Sequence, residues 1–205
     1  MQGDKHFHDS WPPVRGDYEV GDAGSHVAVV TLASRIFPRG SAICGPCKTE
    51  NLGIEKIVAN VISNCNIRFI IICGAESRGH LPGDTIMALH RNGIDEQGRI
   101  IGSKGAIPFI QNLQPEAILR FQQQVEIIDH RGLEDIAQIE ELIGRYSRLK
   151  EPYPFEPFQA VKSRPQRKMV STGCGDLSLG CGTVMDTSAW LVMQDTCEVN
   201  VAAGG

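Results

Sequence analysis

Between about residues 26 and 150, apolar and polar positions alternate between two rhythms. His26–Ser34 (HVAVVTLAS) is a short β-branched run suited to a buried strand. Glu50–Asn64 places Leu52, Ile54, Ile57, Val58, Val61 and Ile62 close to helical period, with Thr49 as the expected N-cap. Ile67–Gly74 (IRFIIICG) is the strongest strand signal in the chain. Asp84–Asn92 reads as a helix stopped by Asn92-Gly93. Arg99–Ile101 is a shorter strand that enters GSKGAIP, and Gln114–Gln124 is a helix with Pro115 in its first turn. Val125–Asp129 is another strand, and Leu133–Leu149 a final amphipathic helix.

Strand and helix in alternation, with short connections, predict an α/β fold: a mainly parallel sheet covered by helices on both faces. The predicted organisation is an N-terminal extension over 1–25, the α/β domain over 26–150 and an irregular tail over 151–205. Pro152, Pro154 and Pro157 mark a linker into that tail, followed by a basic run over 162–168 and a Gly- and Cys-rich stretch, TGCGDLSLGCG.

Composition narrows the function. Hydrophobic residues make up 41% and charged residues 21%, which is ordinary for a soluble globular chain. A net charge of −4 gives no bias toward polyanions, so nucleic acid is not expected as a partner. No apolar run is long enough to span a bilayer, and the opening MQGDKHFHDSWPP has no hydrophobic signal region, so a cytoplasmic chain is expected. Its seven cysteines are then read as reduced thiols or metal ligands. The spacing of Cys174, Cys181 and Cys197 matches no zinc or iron–sulfur pattern.

Ligands of parallel α/β sheets bind beyond the carboxyl ends of the strands. Three Gly-rich loops are expected there: CGPCKTENLG, CGAESRGHLPGD and GSKGAIP. Glycine lets backbone approach a bulky ligand, and helix N-termini offer free N–H groups. His80, between Gly79 and Leu81, is either an exposed loop histidine or an axial metal ligand with room beside it for a macrocycle. His90, beside the helix stop, reads as structural. Cys44-Gly45-Pro46-Cys47 spells the dithiol motif of thioredoxin-like proteins, whose chemistry needs a lowered thiolate pKa at a helix N-terminus. Against that reading, Ile43 stands where an aromatic is usual, and the element order that follows is not thioredoxin's.

Longer motifs carry a resemblance. DYEVGDAGSHVAVVTLAS, AICGPCKTENLGIEKIVANVISN, IRFIIICGAESRGHLPGDTIMALHRNGID, GRIIGSKGAIPFIQNL and RFQQQVEIIDHRGLED are similar to the A subunit of tetrahydromethanopterin S-methyltransferase, continuously from about Trp11 to Asp135. The resemblance implies a Rossmann-like three-layer sandwich that binds cobalamin or a related corrinoid, with His80 as the cobalt ligand. It implies contacts to that cofactor from Gly45, Pro46, Thr49, Glu50, Asn51, Gly74, Gly79, Leu81, Gly102, Gly105, Ala106 and Pro108. The implied activity is methyl transfer from methyl-tetrahydromethanopterin or a related donor, through cobalt, to coenzyme M or another thiol. Partners would be other methyltransferase subunits, and the location cytoplasmic or peripheral to a membrane methyltransferase complex. Membrane-bound members end in a hydrophobic helix, whereas this chain ends in the polar TVMDTSAWLVMQDTCEVNV. A soluble homologue is therefore expected, and a stand-alone corrinoid-binding or storage protein is the alternative.

Overall fold

The computed structural model describes residues 6–7, 9–147 and 149–160, together with the backbone of three short strands in the tail. The first unit contains β1 (Glu19–Val20), β2 (Val27–Val30), β3 (Ile43–Gly45), α1 (Leu52–Ile62), β4 (Phe69–Ile72), α2 (Pro82–Asn92), α3 (Pro115–Gln124), β5 (Glu126–Asp129) and α4 (Ile136–Tyr146). Its sheet runs β1-β3-β2-β4-β5. The four strands β3, β2, β4 and β5 are parallel, and β1 adds an antiparallel edge with Glu19 opposite Cys44.

Alternation along the strands divides the core between two faces. Ala28, Val30, Ile70 and Ile72 point toward Ile54, Val58 and Ile62 of α1, Ile86 and Leu89 of α2, and Ile118 and Phe121 of α3. Val27, Val29, Phe69 and Ile71 point the other way, toward Ile139 and Ile143 of α4. This is a Rossmann-like three-layer sandwich. Phe69–Ile72 is buried at all four positions because both faces are covered, which explains its unbroken apolar run. Each such side chain contributes about 1.5–3 kcal/mol of burial free energy before entropy is counted.

The structure corrects several expectations. Arg99–Ile101 is not a sheet strand; Arg99 bridges Phe109 and Ile100 bridges Ile94 in a local turn. Gly98 and Gly102 flank it with φ of +80° and +81°, which bends the chain out of extended geometry on both sides. The sheet still has four parallel strands because Ile43–Gly45, three residues long and closed by Pro46, is one of them. The predicted strand His26–Ser34 ends at Val30, two residues before Leu32 turns through φ +50°. Helix α1 is capped by Asn51, whose side chain accepts from Leu52 N at 2.7 Å. Thr49, expected as the cap, accepts from Gly53 N at 3.0 Å and supports the same turn. Pro152, Pro154 and Pro157 lie in packed chain: Tyr153 N donates to Cys65 O, Phe158 N donates to Ile62 O, and Ala160 is buried. The first unit extends through Lys162. Residues before β2 are packed as well, with Trp11, Val14 and Tyr18 against the α1 side of the core.

The second unit begins at Ser163. Its described backbone forms an antiparallel sheet of β6 (Leu177–Ser178), β7 (Thr183–Asp186) and β8 (Leu191–Gln194). The basic run over 162–168 and Cys174, Cys181 and Cys197 lie outside the described residues. Among the described residues, no helix is long and apolar enough to cross a membrane.

Candidate functional site

The connection from β2 runs toward β3, and the connection from β4 runs the opposite way toward β5. The carboxyl ends of β2 and β4 therefore form the switch point at which such sheets bind ligands. Gly74, just past β4, has φ +78°, and a Cβ there would stand 2.2 Å from Thr31 O and 2.9 Å from Ser34 Oγ. Only glycine lets the two loops meet so closely. Ala33 N donates to Ala75 O and Ala75 N donates to Ser34 Oγ, which closes the crevice floor.

The loop after β4 continues through Gly79 and His80 to Leu81, a non-glycine residue held at φ +46°, ψ +52° immediately before α2. Leu81 N donates to Ser77 O, and Leu81 O accepts from Thr85 N and Thr85 Oγ1. These bonds hold a backbone geometry that costs about 1–2 kcal/mol in an L-residue. They present the His80 side chain, 53% exposed, at the sheet edge. Nothing lies within 4 Å of the Cβ position of Gly79, so the space beside the ring is open.

His80 Nδ1 is 2.8 Å from Glu50 Oε2. Glu50 stands in the loop between β3 and α1, and its side chain is only 2% exposed. Its second oxygen accepts from Ile107 N at 2.7 Å. Burial alone would raise the Glu50 pKa, but hydrogen bonds from its own backbone N–H, from Ile107 N–H and from His80 outweigh burial, and the carboxyl is held below its ordinary range. Thus GSKGAIP reaches the site without following a strand, and Glu50 tethers it to the loop after β4. Gly105 fits beneath; a Cβ there would meet His80 O at 2.7 Å and Glu50 Cγ and Thr85 Oγ1 at 2.9 Å. Ser103 Oγ bonds Thr85 Oγ1 at 2.7 Å and accepts from Gly105 N at 3.1 Å. Glu55, one turn into α1, is buried and accepts from Gln111 N, Asn112 N and Asn112 Nδ2. Leu52 and Ile107 remain exposed at 58% and 59%.

Of the predicted residues, Glu50, Gly79, His80, Leu81 and Gly105 gather at one point, with Asn51 and Thr49 shaping the helix entry beside it. Ala106 is exposed in the same loop, and Pro108 is buried with its carbonyl accepting from Ile100 N. Gly74 lies at the crevice floor. Gly102 turns against Asn92 instead, where a Cβ would stand 2.9 Å from Nδ2. Gly45 and Pro46 line a separate cleft beside Tyr18. The pairing of Glu50 with His80, and the Thr85–Ser103 support, carried no sequence signal, because hydrogen bonds across 30 and 18 residues leave no periodicity.

The dithiol reading fails on geometry. Cys44 packs on the α4 face of the sheet and Cys47 on the α1 face, with exposures of 3% and 2%. Burial pushes both thiols up to about 12, the reverse of what thiolate chemistry needs. His90 is structural: Nε2 lies 2.8 Å from Val125 O, and the ring sits edge-on to Phe121.

Comparison with known proteins accounts for most of this unit. The family model for the A subunit of tetrahydromethanopterin S-methyltransferase matches residues 4–157. The chain belongs to this family. It is 50% identical over 189 residues to the A subunit of the methyltransferase Mtx from Methanosarcina acetivorans, covering 90% of this chain and 94% of that one. It is 57% identical over 141 residues to the A 2 subunit of tetrahydromethanopterin S-methyltransferase from Methanothermobacter marburgensis, covering 66% and 76% of the two chains. Against the A 1 subunit of the same enzyme from Methanobrevibacter ruminantium, identity is 54% over 157 residues, covering 72% and 62%. The matched residues include the whole His80–Glu50 site.

Proposed function

We propose that this protein carries a corrinoid on His80 and serves methyl transfer from methyl-tetrahydromethanopterin, or a related donor, to coenzyme M or another thiol, in company with other methyltransferase subunits. The observation that carries the reading is the His80–Glu50 pair. A buried carboxylate on one ring nitrogen and open space beyond the other is the arrangement that orients histidine as a metal ligand. A bare divalent ion usually takes three or four protein ligands. Among the described residues no cluster of three or more His, Cys, Asp or Glu could hold one. One outward imidazole instead suits a metal that brings its own equatorial ligands, and exposed Leu52 and Ile107 suit the apolar surface of a macrocycle.

When bound, the corrinoid would supply a cobalt centre able to take a methyl group from a donor and yield it to a thiolate. The chain's own contribution is to hold and orient. Glu50 keeps the His80 proton on Nδ1, which leaves the Nε2 lone pair outward. Ile107 N–H keeps Glu50 ionised, and the loop over 103–107 fixes the ring's height at the crevice.

The test is aquacobalamin added to purified protein, followed by reduction to cobalt(II) and electron paramagnetic resonance. Splitting from an axial nitrogen should change when histidine is labelled with nitrogen-15, vanish in His80→Ala and persist in His90→Ala. Splitting insensitive to the label would remove His80 from the metal.

A further inference from the structure

We propose that the cleft between the N-terminal segment and the start of α1 is a second ligand site, one that takes a small organic anion with a flat apolar body. The cleft holds about 270 Å³. Cavities of about 150 Å³ accommodate benzene, and drug-sized ligands need about 300–1,000 Å³, so the volume suits one or two fused rings with a charged substituent. Its floor is apolar and already built, from Val30 and Ile43, which are 3% and 8% exposed, and from Ile57.

One wall is Tyr18, and that wall is fixed. Val14 N donates to Asn60 Oδ1, Asn60 Nδ2 donates back to Val14 O, Trp11 Nε1 donates to Asn60 O, and Tyr18 Oη donates to Val14 O. Gly45 lets this segment lie directly on the end of β3, since a Cβ there would stand 2.5 Å from Asp17 O. With its hydroxyl already committed, Tyr18 offers the cleft a ring face and no spare donor, which favours a flat apolar partner.

The rim sets the charge. Lys48 and Lys56 line the opening against a single carboxylate, Asp17, leaving a net charge of +1 at an otherwise apolar cleft. The helix end adds little, because Asn51 already accepts from Leu52 N and Thr49 from Gly53 N. The lysines are thus the anion-recognising groups. This inference stands whatever His80 binds, because no lining residue of the cleft is in the His80–Glu50 pair.

The experiment uses the full chain without cofactor and two isosteric probes, 2-naphthoate and the neutral 2-naphthamide, titrated while amide nitrogen–proton spectra are recorded. Naphthoate should give saturable shifts at Gly16, Gly45 and Gly53, and naphthamide should bind about tenfold more weakly, the discrimination expected of two solvent-facing cations. The double variant Lys48→Met, Lys56→Met should lower naphthoate affinity about tenfold and leave naphthamide unchanged; its own spectrum reports whether it is folded. Equal binding of the two probes to the wild type would overturn the anion assignment. Absence of saturable shifts at those three glycines, or shifts centred elsewhere, would overturn the site.

Discussion

Replacing Glu50 by Gln should move a proton across the His80 ring. A neutral imidazole carries its proton on either Nδ1 or Nε2, and only the unprotonated nitrogen can coordinate a metal. In the wild type, Glu50 Oε2 accepts from Nδ1 at 2.8 Å while Oε1 accepts from Ile107 N at 2.7 Å. A hydrogen bond to a charged group is worth about 1.5–3 kcal/mol net. The ring is 53% exposed, which puts this bond at the low end, near about 1.4 kcal/mol, or a tenfold preference for the Nδ1–H form. A glutamine has one oxygen, and Ile107 N–H requires it. The amide NH₂ then faces Nδ1 and can only donate, so Nδ1 must accept and the proton moves to Nε2. The preference should invert, with little change in shape. Long-range nitrogen–proton correlation spectra on histidine-labelled protein at pH about 8.5 distinguish the two forms directly, with His80→Gln identifying the signal. Corrinoid affinity should fall about 10–100-fold in the same variant, the usual effect of losing such support. A wild-type ring already protonated on Nε2, or identical spectra from wild type and variant, would show that Glu50 does not set the tautomer.

Other consequences are simpler to measure. Gly74→Ala forces a Cβ to within 2.2 Å of Thr31 O at φ +78°, so urea denaturation should show a loss of about 2–5 kcal/mol, a large part of a typical domain's 5–15 kcal/mol. Glu55→Ala strands Gln111 N, Asn112 N and Asn112 Nδ2, and should cost about 2–4 kcal/mol in the same assay. The thiols of Cys44, Cys47 and Cys73 are pushed up to about 12 by burial, above their ordinary value of 9.0. The native state therefore keeps protons that the unfolded chain loses between about pH 9 and 12, and stability should fall across that window by about 1.4 kcal/mol per pH unit for each thiol. Iodoacetamide at pH 8 should leave all three unmodified until the protein unfolds, and rapid labelling of Cys44 and Cys47 in the folded state would contradict their burial.

What could be read from the chain beforehand follows from which interactions are local. FIII at 69–72 announces a strand because covering both sheet faces demands four consecutive apolar residues. Period alone places α1 and α4 to within a few residues. Ile43–Gly45 is hidden because three residues show no period, and its strand character comes from pairing with β2 on one side and Glu19–Val20 on the other. Arg99–Ile101 errs in the opposite direction: a β-branched run is a sound signal, but two left-handed glycines overrule it. The same division governs the site. His80 stands out because glycines surround it in a loop beyond a strand, whereas Glu50 looks like any acidic residue near a helix start. Its role exists only because the parallel order β3-β2-β4 brings the ends of β3 and β4 to one edge, across β2. Burial of that carboxylate then requires two donors, and the fold supplies them from His80 and from Ile107, residues that no local pattern connects. The CGPC motif shows the converse, a local pattern whose chemistry the fold cancels. Consecutive pleats send Cys44 and Cys47 to opposite sides of the sheet, where each serves only as a small apolar side chain.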